Sequence, residues 1–181
     1  VLLDPNGIVY GWIPASSGLE GKKALGFIAH MDTAPAASGK NVKINVIPDY
    51  DGNDVELPGG VCIGVKDFPH LKGLAGRTLI TTDGTTLLGA DDKAGITEIM
   101  TAIETVIRDQ IPHGPLCVAF TPDEEVGRGA DHFNVDLFGA DFAYTVDGGP
   151  ENELACETFN AASAHIQIHG VSVHPGDAKD I

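Results

Sequence analysis

Basic side chains are scarce in this chain. Eleven lysines and arginines stand against 26 aspartates and glutamates, a formal net charge of −15 over 181 residues. Phosphate backbones need a basic patch, so a nucleic-acid partner is not expected. Cysteine is equally sparse. Cys62, Cys117 and Cys156 lie far apart, are odd in number and form no CxxC pair, which argues against a disulfide framework and a cysteine-rich zinc site. Cys117, within an apolar run, reads as a small buried hydrophobe. No apolar stretch approaches the roughly 20 residues of a membrane helix, so no membrane partner is expected. The start, VLLDPNGIVYGW, has no basic n-region, no signal-peptide core and no initiating Met. The chain is therefore expected to be cut from a longer protein at both ends and to work in the reducing cytoplasm.

Apolar content, by contrast, is ample. Hydrophobic residues make up 43% of the chain and mean hydropathy is +0.04, the composition of a globular protein with a real core. Period and turn chemistry predict strands at 8–13, 25–29, 42–47, 79–82, 86–88, 116–121 and 142–146. Asp83-Gly84 predicts a hairpin, and the stretch 48–76, rich in Gly, Pro and Asp, a surface insertion. One helix stands out at 93–109, where Ile96, Ile99, Met100, Ile103, Val106 and Ile107 form a single stripe. A short helix is expected near 129–134. This alternation predicts an α/β fold, a largely parallel mixed sheet flanked by helices. After Glu153 two strands, 154–158 and 164–173, follow without a helix between them. Residues 1–158 are thus expected to form one domain and 159–181 to begin a second, smaller one.

Carboxylates and a histidine collect where the apolar runs stop. His30-Met31-Asp32, Asp91-Asp92-Lys93, Asp123-Glu124-Glu125 and Asp147-Gly148-Gly149 each follow such a run, and His174 stands further on. Oxygen ligands and an imidazole at the carboxyl edge of a sheet suit a divalent metal of the zinc or manganese type. Each segment also has a plainer reading. His30 alone reads as a core histidine, Asp91 and Asp92 as helix caps, 123–125 as a solvated acidic turn and Asp147 as a turn residue. Four together favour the metal, with capping retained for Asp92. Two other patterns fail. Residues 170–174 end in His where a nucleophile elbow needs Gly, and 49–60 lacks the Gly and Glu of a calcium loop.

Five motifs carry a resemblance: HMDT at 30–33, LLGADDKAGITEIM at 87–100, FTPDEEVGRGA at 120–130, YTVDGG at 144–149 and GVSVHPG at 170–176. In order and spacing they resemble the peptidase T family, aminotripeptidases among the dinuclear-zinc exopeptidases, which also include carboxypeptidases and aminoacylases. The resemblance implies a zinc-exopeptidase-like fold in which 159–181 begins an α+β lid and dimerisation domain. It implies His30 and Asp147 as terminal ligands of one zinc, Asp91 as the bridge and Glu125 as a ligand of the second. Glu124 would be the general base, Asp32 would orient His30, and His174 would reach the oxyanion from a partner subunit.

The family completes its second zinc with a histidine beyond the lid, which this chain does not reach. The resemblance is thus to an N-terminal fragment, expected to hold one of two Zn2+ ions and to be nearly inactive alone. The activity implied is removal of the N-terminal residue from short peptides, tripeptides above all, by a cytoplasmic homodimer. The alternatives are a carboxypeptidase or N-acyl amino acid deacylase on the same metal core, or a fragment that binds metal without turnover.

Overall fold

Residues 25–30 and 116–121 are apolar along almost their whole length, the pattern of strands covered on both faces. The computed structural model describes residues 1–157, 160–170, 172–174, 176 and 179. It divides into two units, Val1–Gly149 and Pro150–Ile181. The first contains strands β1 (Leu2–Leu3), β2 (Val9–Ile13), β3 (Leu25–His30), β4 (Ile44–Ile47), β5 (Val55–Glu56), β6 (Cys62–Ile63), β7 (Leu79–Thr82), β8 (Leu116–Thr121) and β9 (Phe142–Thr145), with helices α1 (Ala90–Arg108) and α2 (Val135–Phe138).

The main sheet has the order β1-β2-β8-β3-β9. β3 is parallel to both β8 and β9, whereas β2 pairs antiparallel with both of its neighbours, β1 and β8. The sheet is therefore mixed but only partly parallel, less so than the sequence suggests. The reversed strand β2 makes the difference. One face of the sheet carries Ile8, Tyr10, Ala24, Cys117 and Ala119 against Phe138 of α2. The other buries Ala29 and Val118 against Ile99 of α1. Only part of the α1 stripe is covered: Met100 and Ile107 are exposed. Gly26 is needed for the first face, because a Cβ there would lie 2.7 Å from the Phe138 ring.

Three local expectations change. β7 pairs with β4, not with residues 86–88. The Asp83-Gly84 turn is closed by side chains instead: Thr82 Oγ1 accepts from the Gly84 N–H, and Asp83 accepts from the Thr85 N–H. The short helix starts after Asn134, whose side chain accepts from the Leu137 N–H and so caps it there. The 48–76 insertion has β5, β6, a 3-10 turn at Pro69–Leu74 and a core of its own from Tyr50, Val55, Leu57 and Leu71.

The second unit forms no strand among its described residues. The strands expected at 154–158 and 164–173, and with them the start of a lid sheet, are not built there; residues 158 and 171 lie outside the described residues. Alternation along one segment yields a strand only when a neighbour completes its ladder.

Phe138 carries the first core on a four-residue helix. Phe138→Ala is expected to lower stability by about 3–5 kcal/mol, while Phe142→Ala, on an exposed face, should cost far less. Urea unfolding of both variants checks this, and equal losses would contradict the assignment of the core.

Candidate metal centre

Parallel pairing decides where the polar residues go. β3, β8 and β9 run in the same direction, so their carboxyl ends share one edge. β3 ends on His30, β8 leads into the 3-10 turn Glu124–Val126, and β9 leads to Asp147. α1 begins over the same edge and brings Asp91. The Asp91–Asp92 peptide is cis, and neither residue has helical backbone angles. The regular helix starts after them, with Asp92 capping it: Asp92 Oδ1 accepts from the Gly95 N–H at 3.1 Å.

At the edge, His30, only 2% exposed, turns its Nε2 toward three carboxylates. Asp91 Oδ1 lies 2.8 Å away, Glu124 Oε2 3.8 Å and Asp147 Oδ2 3.9 Å. One donor atom each from His30, Asp91 and Asp147 falls within 4.8 Å of the others. On the far side of the ring, Nδ1 is 3.3 Å from Asp32 Oδ1, but the alignment is not that of a hydrogen bond and Nδ1 has no such partner among the described residues. Asp32 instead accepts from the backbone N–H groups of Glu124 and Glu125, at 3.1 and 3.0 Å. It thereby holds the loop after β8 against the end of β3.

Electrostatics follow from this crowding. Burial alone would lower the pKa of His30, but the Asp91 hydrogen bond and the charges of Asp147, Asp32 and Asp91 together raise it. Burial raises Asp147, and the neighbouring Asp91 charge pushes the same way. Burial would also raise Asp32, yet the N–H groups of Glu125 and Glu124 outweigh it and lower its pKa.

The structure thus brings together His30, Asp91 and Asp147, with Glu124 and Asp32 adjoining. The Glu125 side chain is not in the three-residue cluster. His174 belongs to the second unit, where its Nδ1 accepts from the Gly176 N–H at 3.1 Å. Sequence reasoning missed a second contact of Asp92: its Oδ2 accepts from the His30 N–H at 3.2 Å, and the residue is 4% exposed. The available signal was Gly95, a helix-breaking residue inside a strong helical pattern.

Two carboxylates this close repel unless a proton or a cation lies with them. An imidazole nitrogen and two carboxylate oxygens make a donor set that fits a divalent ion with an open position, as zinc takes it. His30, Asp91 and Asp147 are the residues that would hold it.

No protein-family model matches the chain. It is 56% identical over 183 aligned positions to peptidase T of Clostridium acetobutylicum, covering 99% of this chain and 45% of that protein. It is 59% identical over 177 positions to peptidase T of Desulfitobacterium hafniense, covering 96% and 43%. The chain thus spans less than half the length of the curated relatives it matches. Among solved structures, aminopeptidase PepT of Bacillus cereus aligns with a TM-score of 0.57 at 27% identity, over 80% of this chain and 30% of that one. A tripeptidase of Staphylococcus aureus gives 0.55 at 28%, with the same coverage.

Protons and metal compete for this cluster. His30 and Asp147 both hold a proton more tightly than usual, and that proton must leave before either can ligate. The apparent Zn2+ affinity is therefore expected to fall as pH is lowered, beginning above the ordinary histidine value of 6.5 because His30 is raised from it. Calorimetric titration across the histidine range checks this, and a flat profile would contradict the ligand set. His30→Ala should abolish tight binding.

Proposed function

The chain is homologous to the peptidase T family over nearly its whole length, and from that premise we propose that it serves a metal-dependent exopeptidase removing the N-terminal residue of short peptides. The reading rests on one observation. His30 Nε2, an Asp91 oxygen and an Asp147 oxygen converge at adjoining strand ends, and a Glu124 oxygen lies 3.8 Å from the same nitrogen.

In this reading His30 and Asp147 would hold one zinc, and Glu125 would serve a second, with Asp91 contributing to both. When bound, the ions polarise the scissile carbonyl and bring the pKa of a water toward 7. Glu124 accepts the proton of that water and returns it to the leaving amine. Its carboxylate is half exposed at the open side of the cluster, where a substrate can approach. Asp32, through the Glu124 and Glu125 N–H groups, keeps base and ligand in register with His30. His174, from the segment 159–181 that begins a lid and dimerisation domain, donates to the oxyanion from a partner subunit. The similarity to a solved tripeptidase favours tripeptides as the substrate class.

In the full-length enzyme, Glu124→Gln is expected to abolish useful turnover, lowering kcat by roughly 10²–10⁴-fold, with metal content nearly unchanged. Glu125→Gln should instead deplete the second metal. Elemental analysis beside a tripeptide assay, run with and without chelator and with an N-blocked tripeptide as control, distinguishes them. The reverse pattern would overturn the division between base and ligand, and cleavage of the blocked peptide alone would overturn the aminopeptidase reading.

A further inference from the structure

The ladder between β3 and β9 stops one bond short of His30. The Val146 N–H donates to the Ile28 carbonyl at 2.8 Å. In regular parallel pairing the next bond would run from the His30 N–H to the Val146 carbonyl. That bond is replaced. The His30 N–H donates instead to Asp92 Oδ2 at 3.2 Å, while Asp92 Oδ1 takes the Gly95 N–H at 3.1 Å. The displaced Val146 carbonyl lies over Gly95, where a Cβ would overlap it, and a Cβ there would also sit 2.5 Å from Asp92 Oδ1. The first turn of α1 therefore enters between the ends of β3 and β9.

We propose that Asp92 is a positioning residue for the metal centre, its buried carboxylate standing in for a sheet carbonyl so that β9 can leave β3 where Asp147 begins. This rests on the metal-site reading of His30, Asp91 and Asp147. The three ligand-bearing segments all meet this one turn. Asp92 ties the backbone of His30, is covalently joined to Asp91, and shares with Gly95 the turn that receives the carbonyl before Asp147. The work demands a carboxylate, because two backbone N–H donors must be accepted by one short side chain. An amide of the same shape offers one oxygen and sets an NH2 against the second donor. A buried N–H left without an acceptor is costly, so the strand end would shift rather than tolerate it.

The test uses Asp92→Asn, which keeps the side-chain volume, and Asp92→Ala, each read two ways. Without metal, amide hydrogen exchange is followed at His30, Gly95 and Val146. Exchange at His30 and Gly95 is expected to quicken at least tenfold (order of magnitude) in the alanine variant, with Val146 little changed. With Co2+ as probe, affinity is expected to fall about 10-fold in the asparagine variant and about 100-fold in the alanine variant, with an altered visible spectrum. A residue that merely supports the fold would lower the melting temperature and leave the Co2+ spectrum and affinity alone. Unchanged exchange at His30 overturns the tether. Faster exchange with unchanged Co2+ binding overturns the positioning role while the metal site stands. Failure of the parent chain to bind Co2+ overturns the metal-site reading and the positioning role with it, the exchange data still reporting the tether separately. Should Asp92→Ala not fold, as judged by circular dichroism, Asp92→Asn decides.

Discussion

The pairing of β3 with parallel neighbours on both sides obliges three segments to leave the sheet at the same edge. The rest of the first unit follows from that constraint. A strand with neighbours on both sides and packing on both faces has little side open to water, so residues 25–29 are apolar or small. Polar side chains appear only where the ladder runs out, at His30, after Thr121 and after Thr145. α1 covers one face of the sheet and begins at this edge, so its first residues join the same group. The chemistry gathers there because hydrogen bonding leaves it nowhere else to go.

That gathering works against itself electrically. Like charges about 4 Å apart interact by roughly 4 kcal/mol at an effective dielectric near 20. Asp91, Asp147, Glu124 and Asp32 all crowd one buried imidazole. Two of the acids answer in opposite ways. Asp32 has two backbone N–H donors and is held as an anion, while Asp147, more dependent on its surroundings for compensation, shifts toward the neutral form. The same edge thus contains one carboxylate satisfied by the fold and another that a cation would suit better. This division separates a residue that builds the site from one that waits for a ligand.

Much of this was legible in the residues. Strands β3 and β8 showed as unbroken apolar runs, α1 as one stripe, and the metal cluster as polar residues just past apolar ones. What escaped notice depended on partners distant in sequence. A turn signal at Asp83-Gly84 says that the chain bends, not whether residues 86–88 will pair, and β4 supplied the better partner for β7. Alternation at 164–169 says which side chains could share a face, but no strand lies beside it among the described residues. Asp92 looked like a cap and is one. Its bond to His30 spans 62 residues, and no local pattern encodes it. Glu124 and Glu125 are adjacent and chemically alike, so only the fold distinguishes the oxygen that faces His30 from the one that does not.

Among the described residues β9 stands at the margin of the main sheet, with β3 as its one neighbour there and with Phe142 and Tyr144 exposed. Asp147 is borne by this fringe strand, whereas His30 is borne by a strand gripped from both sides. The two side chains are therefore unequal in how firmly they are moored. Fraying begins where neighbours are fewest, so among the described residues the Asp147 side of the cluster would open before the His30 side.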